Sequence, residues 1–297
     1  MRSAPDVPPP VGEFRSVGGV RLLVDQRGAG SPTVVFLPGA GLTGLDYLPL
    51  HQSAAASWSS LVYDRAGTGW SGQVALPRTA LAVTDELHEL ISIGAMAPVV
   101  LVGHSLGGLY ARHYATRFPA DVVGLVLLDP AHEDYDAYMP AELTAMRSGN
   151  RLFALLNVVV DVALRTAPTK SLLSRLPQIR HYQHLYRALF AHEMAAWSPE
   201  VRDPLVNQHA SLDWLATGLR ESRGIDDLYR EVHNAGPMPE VPLVILSSTG
   251  TDAFRDAVSS GESPELLQAE SEAKLRLYHH IASSVTRGLF SLSTEAT

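Results

Sequence analysis

The chain has 297 residues and a formal net charge of -8 at pH 7. Hydrophobic residues make up 46% of it, enough for a substantial core, and the acidic balance leaves no basic footprint for nucleic acid or an anionic membrane. The chain contains no cysteine, which excludes disulfides, thiolate chemistry and cysteine-ligated metals and leaves the redox compartment open.

Met1 to Val11 is Pro-rich and lacks the apolar centre of a signal peptide, so residues 1–12 read as a frayed tail. Glu13 to Val17 and Val20 to Arg27 read as strands joined at Gly18-Gly19, a hairpin signal. Thr33 to Leu37 is an apolar β-branched run of the kind buried on both faces of a sheet, and Leu61-Val62-Tyr63 is another. Thr79 to Met96 has helical periodicity, with Leu87, Leu90 and Ile91 on one side and Asp85, Glu86 and Glu89 on the other. Strand Val99 to Val102, helix Leu106 to Phe118 and strand Val123 to Leu128 follow, with Pro119 ending the helix. Strands alternating with helices predict an α/β fold with a mostly parallel sheet.

From Ala131 to Glu240 the pattern is helical only, in stretches such as Pro140–Met146, Arg151–Arg165, His181–Ala196 and Leu205–Arg220. Strand character resumes at Val241 to Leu246. A structureless loop of this length is improbable, so 131–240 reads as a helical cap inserted into a core of 13–130 and 241–297. Its apolar residues Leu152, Phe153, Leu155, Leu156, Val159 and Val160 either line a hydrophobic substrate chamber or only pack the cap. Asn157 and Asp161 interrupt the run Leu152–Leu164, which is too short and too polar to span a bilayer. The expectation is a cytoplasmic protein without stable membrane insertion.

The pattern richest in chemistry is Gly103-His104-Ser105-Leu106-Gly107, a G-x-S-x-G between a strand and a helix. Small residues at Gly103 and Gly107 let strand and helix approach, and the sharp turn exposes the hydroxyl of Ser105 as a nucleophile. His104 reads as packing beside it. His181, His184 and His192 have helical spacing but no carboxylate partner, so no metal site is expected.

With this elbow, Phe36-Leu37-Pro38-Gly39-Ala40-Gly41 and Tyr63-Asp64-Arg65-Ala66-Gly67-Thr68-Gly69-Trp70-Ser71, the chain resembles the α/β-hydrolase superfamily in its capped, serine-hydrolase form from about Glu13 onward. The resemblance implies an oxyanion hole made by the N–H groups of Ala40 and Leu106, worth about 3–4 kcal/mol per donor. Pro38 stands where the family usually has histidine. Asp64 and Arg65 read as a structural turn and ion pair. The resemblance also implies an acid after the nucleophile, either Asp252 past strand Leu243–Leu246 or Asp129 at the end of Val126-Leu127-Leu128, with Asp252 preferred on position.

The histidine of such a triad has no obvious place. Only His279 and His280 follow Asp252, in an amphipathic helix Leu266–Val285 with Gly288 as its C-cap, before an edge strand Leu289–Thr294. The family's base follows that strand, and a closing helix packs behind it. Both read as missing here. The expectation is therefore a base beyond Thr297, with His279 or His280 as the rival. His132 stands at the cap entrance and is a candidate substrate contact.

The function expected from the resemblance is cofactor-free hydrolysis of a carboxylic ester or similar acyl bond of a hydrophobic small molecule. The alternatives are a non-catalytic ligand-binding member of the fold, an acyltransferase, a C–C hydrolase or a perhydrolase. Substrate and oligomeric state are left open.

Overall fold

The computed structural model of the chain describes residues 8–149, 167–248 and 263–293. Strands β1 (Glu13–Val17), β2 (Val20–Arg27), β3 (Thr33–Leu37), β4 (Ser59–Tyr63), β5 (Val99–His104), β6 (Val122–Leu128), β7 (Leu243–Ser248) and β8 (Gly288–Ser293) join in one sheet. Among the described residues its order is β1-β2-β4-β3-β5-β6-β7-β8. β1 pairs antiparallel with β2, and β2 antiparallel with β4. Every later pairing is parallel. Gly18 and Gly19 turn the first hairpin with φ of 55° and 76°, the left-handed pair that a two-residue turn needs.

All residues of β3 and β4 are buried. Alternation along β3 divides the core. Val35 and Leu37 join Leu61, Leu101, Leu109 and Ile245 on one face, whereas Val34 and Phe36 join Leu48, Val62 and Val102 on the other. Each such side chain contributes about 1.5–3 kcal/mol of burial.

Helix α1 (Leu48–Ala55) packs on β4, and α2 (Ala80–Ile93) packs on α3 (Leu106–Arg117), which follows β5. Thr79 caps α2 by accepting from Ala82 N. Leu87, Leu90 and Ile91 are buried as the periodicity predicts. Glu86 is not on a solvent face. It is buried, accepts from Ala66 N at 3.2 Å and pairs with Arg78 at 2.6 Å, because the loop after β4 lies over that side of the helix.

After β6 the chain forms α4 (Tyr135–Tyr138), α5 (Ala141–Gly149), α6 (Ala167–Leu173), α7 (Pro177–Glu193), α8 (Pro199–His209), α9 (Leu212–Glu221) and α10 (Ile225–Asn234). The helical insert expected from the sequence is therefore present. One boundary differs. The stretch read as one helix, Leu205–Arg220, breaks at 210–211, where Ser211 caps α9 by accepting from Trp214 N. Helix α10, within the helical span but not among the stretches singled out, packs against α2 and α3, and its Glu231 accepts from Ala80 N and Leu81 N at the start of α2. The apolar stretch Leu152–Val160 lies outside the described residues.

The C-terminal region carries helix α11 (Pro264–Ser283), which packs on β7, β8 and α4. This is the amphipathic helix that the sequence places at Leu266–Val285, ahead of β8; the closing helix of the family would follow β8, outside the described residues. Gly288 does not cap it. Ser284 does, and Gly288 opens β8, where an added Cβ would meet Ala282 O at 1.8 Å. Glycine is required there because the strand starts against the end of the helix.

Candidate functional site

Ser105 stands between β5 and α3 with φ 48° and ψ -117°, a conformation that an L-residue adopts only under constraint. The constraints are visible. Its N–H donates to Leu128 O at 3.0 Å, and its carbonyl accepts from Gly108 N at 2.9 Å and Ala131 N at 3.1 Å. A Cβ on Gly103 would lie 2.7 Å from Gly107 O, and one on Gly107 would lie 2.0 Å from Leu37 O. Both glycines are thus demanded by the closeness of β5, α3 and the end of β3. Ser105 is half-buried, and its side chain makes no hydrogen bond to any described residue.

The loop after β3 runs beside this turn. Pro38 O accepts from Arg65 Nη1 at 2.5 Å and Gly39 O from Arg65 Nη2 at 2.9 Å. Gly39 N donates to Tyr47 Oη at 3.3 Å and Gly41 N to Glu221 Oε2 at 2.7 Å. Ala40 N–H, between them, donates to no described residue. Neither does the N–H of Leu106, the first residue of α3, which is one of the orphan donors of a helix start. Two amide donors on the segments that flank Ser105 are thus unspent among the described residues.

His104 turns to Tyr47, with Nδ1 2.6 Å from the hydroxyl. Burial lowers its pKa, and the same hydroxyl accepts from Gly39 N. Burial likewise raises the Tyr47 hydroxyl well above its ordinary value.

Asp64 and Arg65 do not pair with each other. Asp64 accepts from Gly44 N and Trp70 N, both at 2.8 Å. Burial raises its pKa to about 7 against the pull of those two donors. Arg65 pairs with Glu221 at 2.8 Å, both side chains almost fully buried.

Of the acid candidates, Asp252 lies outside the described residues. Asp129, with φ 37°, accepts from Ser247 Oγ at 3.1 Å and Ser248 N at 3.0 Å, fastening the end of β6 to the end of β7. His279 packs edge-on against Phe290 at 4.4 Å, and His280 faces Tyr138 at 5.9 Å. Neither hydrogen-bonds Ser105. His132 and His280 share, with Arg112 and Glu133, the wall of a pocket of about 420 Å³. Burial, then the charge of Arg112, drive the pKa of His132 down to about 3. His181, His184 and His192 are spaced along α7, and no group of three or more ligating side chains that could hold a metal occurs among the described residues.

Sequence reasoning missed Tyr47, Glu221 and the reach of Arg65. Glu221 is 156 positions from Arg65, and no local pattern marks such a pair.

Residues 34–283 match the model of the alpha/beta hydrolase family. The chain belongs to the alpha/beta hydrolase family. An uncharacterized protein of Mycobacterium tuberculosis is 28% identical over 158 residues, covering 53% of this chain and 46% of that one. The chain spans about half the length, or less, of the curated relatives it matches. An esterase from Exiguobacterium antarcticum superposes with a TM-score of 0.60 at 14% identity, covering 95% of this chain and 90% of that one. An enol-lactonase from Burkholderia xenovorans does so with a TM-score of 0.56 at 17% identity, over 95% and 91%. At such identities these neighbours of the alpha/beta hydrolase carry the fold alone. No described helix is long and apolar enough to cross a membrane.

Proposed function

We propose that this alpha/beta hydrolase is a serine hydrolase that cleaves a carboxylic ester or similar acyl bond of a hydrophobic small molecule through an acyl-enzyme. The observation that carries the reading is the strained Ser105 with the N–H groups of Ala40 and Leu106, unpaired among the described residues, on the adjoining segments. Ser105 Oγ attacks the acyl carbon, and the two N–H groups receive the oxyanion as the carbonyl becomes tetrahedral. The leaving alcohol departs with a proton, and water then releases the acid from Ser105. Asp252 is the acid proposed to orient a histidine base, since the strand ends already engage Asp129. The helical insert serves as a cap that shapes the acyl pocket.

One observation favours a second reading, ligand binding without turnover: Ser105 has no hydrogen-bonded base among the described residues. Intact mass after treatment with a fluorophosphonate separates the two. A single adduct, absent in Ser105→Ala, supports the hydrolase. No adduct, together with no turnover of short- and medium-chain p-nitrophenyl esters, supports the binding protein.

A further inference from the structure

Arg65 and Glu221 hold the peptide groups on both sides of Ala40. Glu221 Oε1 accepts from Arg65 Nε at 3.1 Å and Nη2 at 2.8 Å, and its Oε2 accepts from Gly41 N at 2.7 Å. Arg65 in turn grips the carbonyls of Pro38 and Gly39. The Gly39 carbonyl and the Ala40 N–H belong to one peptide unit, which is trans. In a trans peptide the C=O and N–H point in opposite directions. Pulling Gly39 O toward Arg65 therefore aims the Ala40 N–H away from Arg65. The second oxygen of Glu221 fixes the next peptide, so the unit can rotate at neither end.

Glu221 closes α9 in the helical insert, whereas Arg65 follows β4 in the sheet. Gly41 also approaches the insert closely, since a Cβ on it would lie 3.1 Å from Gly218 Cα. The insert thus reaches the loop through a carboxylate and through backbone contact.

We infer that Glu221, acting through Arg65 and Gly41, is a positioning residue that aims the Ala40 N–H, so that the oxyanion hole is complete only when α9 is seated on the loop. The inference rests on the serine-hydrolase reading. It makes the insert part of the catalytic frame as well as a cover. A guanidinium is suited to the task because its rigid planar fork makes four hydrogen bonds from three separate nitrogens, whereas a lysine has three donors on one atom.

The test compares the parent with Glu221→Gln and Arg65→Lys. Hydrogen–deuterium exchange over 38–47 reads the loop directly and needs no catalysis. Ester turnover, split into kcat and KM, reads the aim of the donor. Removing an oxyanion donor costs about 10²–10³ in kcat, so a mis-aimed one is expected to cost about 10- to 100-fold, with KM held within about threefold. Faster exchange over 38–47 accompanies it, and Glu221→Asp recovers part of the rate. Unchanged exchange in both variants overturns the inference, as does a kcat within twofold of the parent. A rise in KM that parallels the fall in kcat, or failure of both variants to fold, assigns the pair to stability alone and also overturns it. A parent chain that a fluorophosphonate does not label sinks the hydrolase reading instead, and the exchange measurement still decides whether the pair holds the loop.

Discussion

His209 Nε2 lies 2.6 Å from Asp46 Oδ1, fastening the last residue of α8 to the loop between β3 and α1. The imidazole is fully buried and stacks on Phe190 at 4.1 Å. Asp46 also accepts from Thr43 N at 2.7 Å, so the carboxylate stays partly served when the histidine is removed. His209→Leu is expected to lower unfolding free energy by about 2 kcal/mol through one lost charge-assisted bond and an imperfectly refilled stack. Urea melts of parent and variant measure it. A loss under 0.5 kcal/mol would mean that the apolar contacts of Leu205 and Val206 alone seat the helix.

Two glycine substitutions should behave oppositely. A Cβ on Gly107 would meet Leu37 O at 2.0 Å, backbone against backbone, and neither strand nor helix can yield. Gly107→Ala is expected to give no folded protein, or a loss above about 4 kcal/mol. On Gly124, within β6, the nearest atom is Val100 Cγ2 at 3.6 Å, an ordinary contact. Gly124→Ala is expected to be neutral or to stabilise by up to about 1 kcal/mol by restricting the unfolded chain. Thermal melts of the two proteins side by side decide it.

Acid stability should depend on His132. Its pKa is about 3 in the folded chain, against 6.5 for the free side chain. Between those values the unfolded state holds a proton that the folded state does not, so stability rises with pH across that window and falls as the solution is acidified from 6.5 toward 3. The slope from this group is at most about 1.4 kcal/mol per pH unit. His132→Asn is expected to flatten the pH dependence of unfolding between pH 6.5 and 4. An unaltered slope would show that His132 protonates freely in the folded protein.

The two acid candidates make distinct predictions. Asp129 holds β6 to β7 through Ser247 and Ser248. Asp129→Asn is therefore expected to cost about 1–2 kcal/mol of stability and to leave kcat within a few-fold. Asp252→Asn is expected to lower kcat by at least about 10³ by releasing the orientation of the base. If the kinetic loss follows Asp129 instead, the acid stands at the end of β6.

The sheet was legible in the residues because its signals are local. Val34 to Leu37 and Leu61 to Tyr63 are apolar and largely β-branched or aromatic, and the Gly103–Gly107 turn needs small residues within five positions of chain. The break between α8 and α9 was not legible, because a serine at 211 within an apolar-periodic stretch reads equally well as helix interior or cap. Glu86 was misread for a related reason: periodicity places a side chain on a helix face but does not say what lies over that face.

By itself the sequence determined an α/β chain with a serine at a strand–helix elbow and a helical stretch inserted between two strands. These follow from periodicity, turn chemistry and the volume of single residues. Only the tertiary structure decided that Arg65 pairs with Glu221 rather than with Asp64, that His104 bonds Tyr47, and that Ala40 N–H donates to none of the described residues. Those are contacts between elements far apart in the chain. A charged or polar side chain carries no mark of its partner until packing has excluded water and brought the partner within reach.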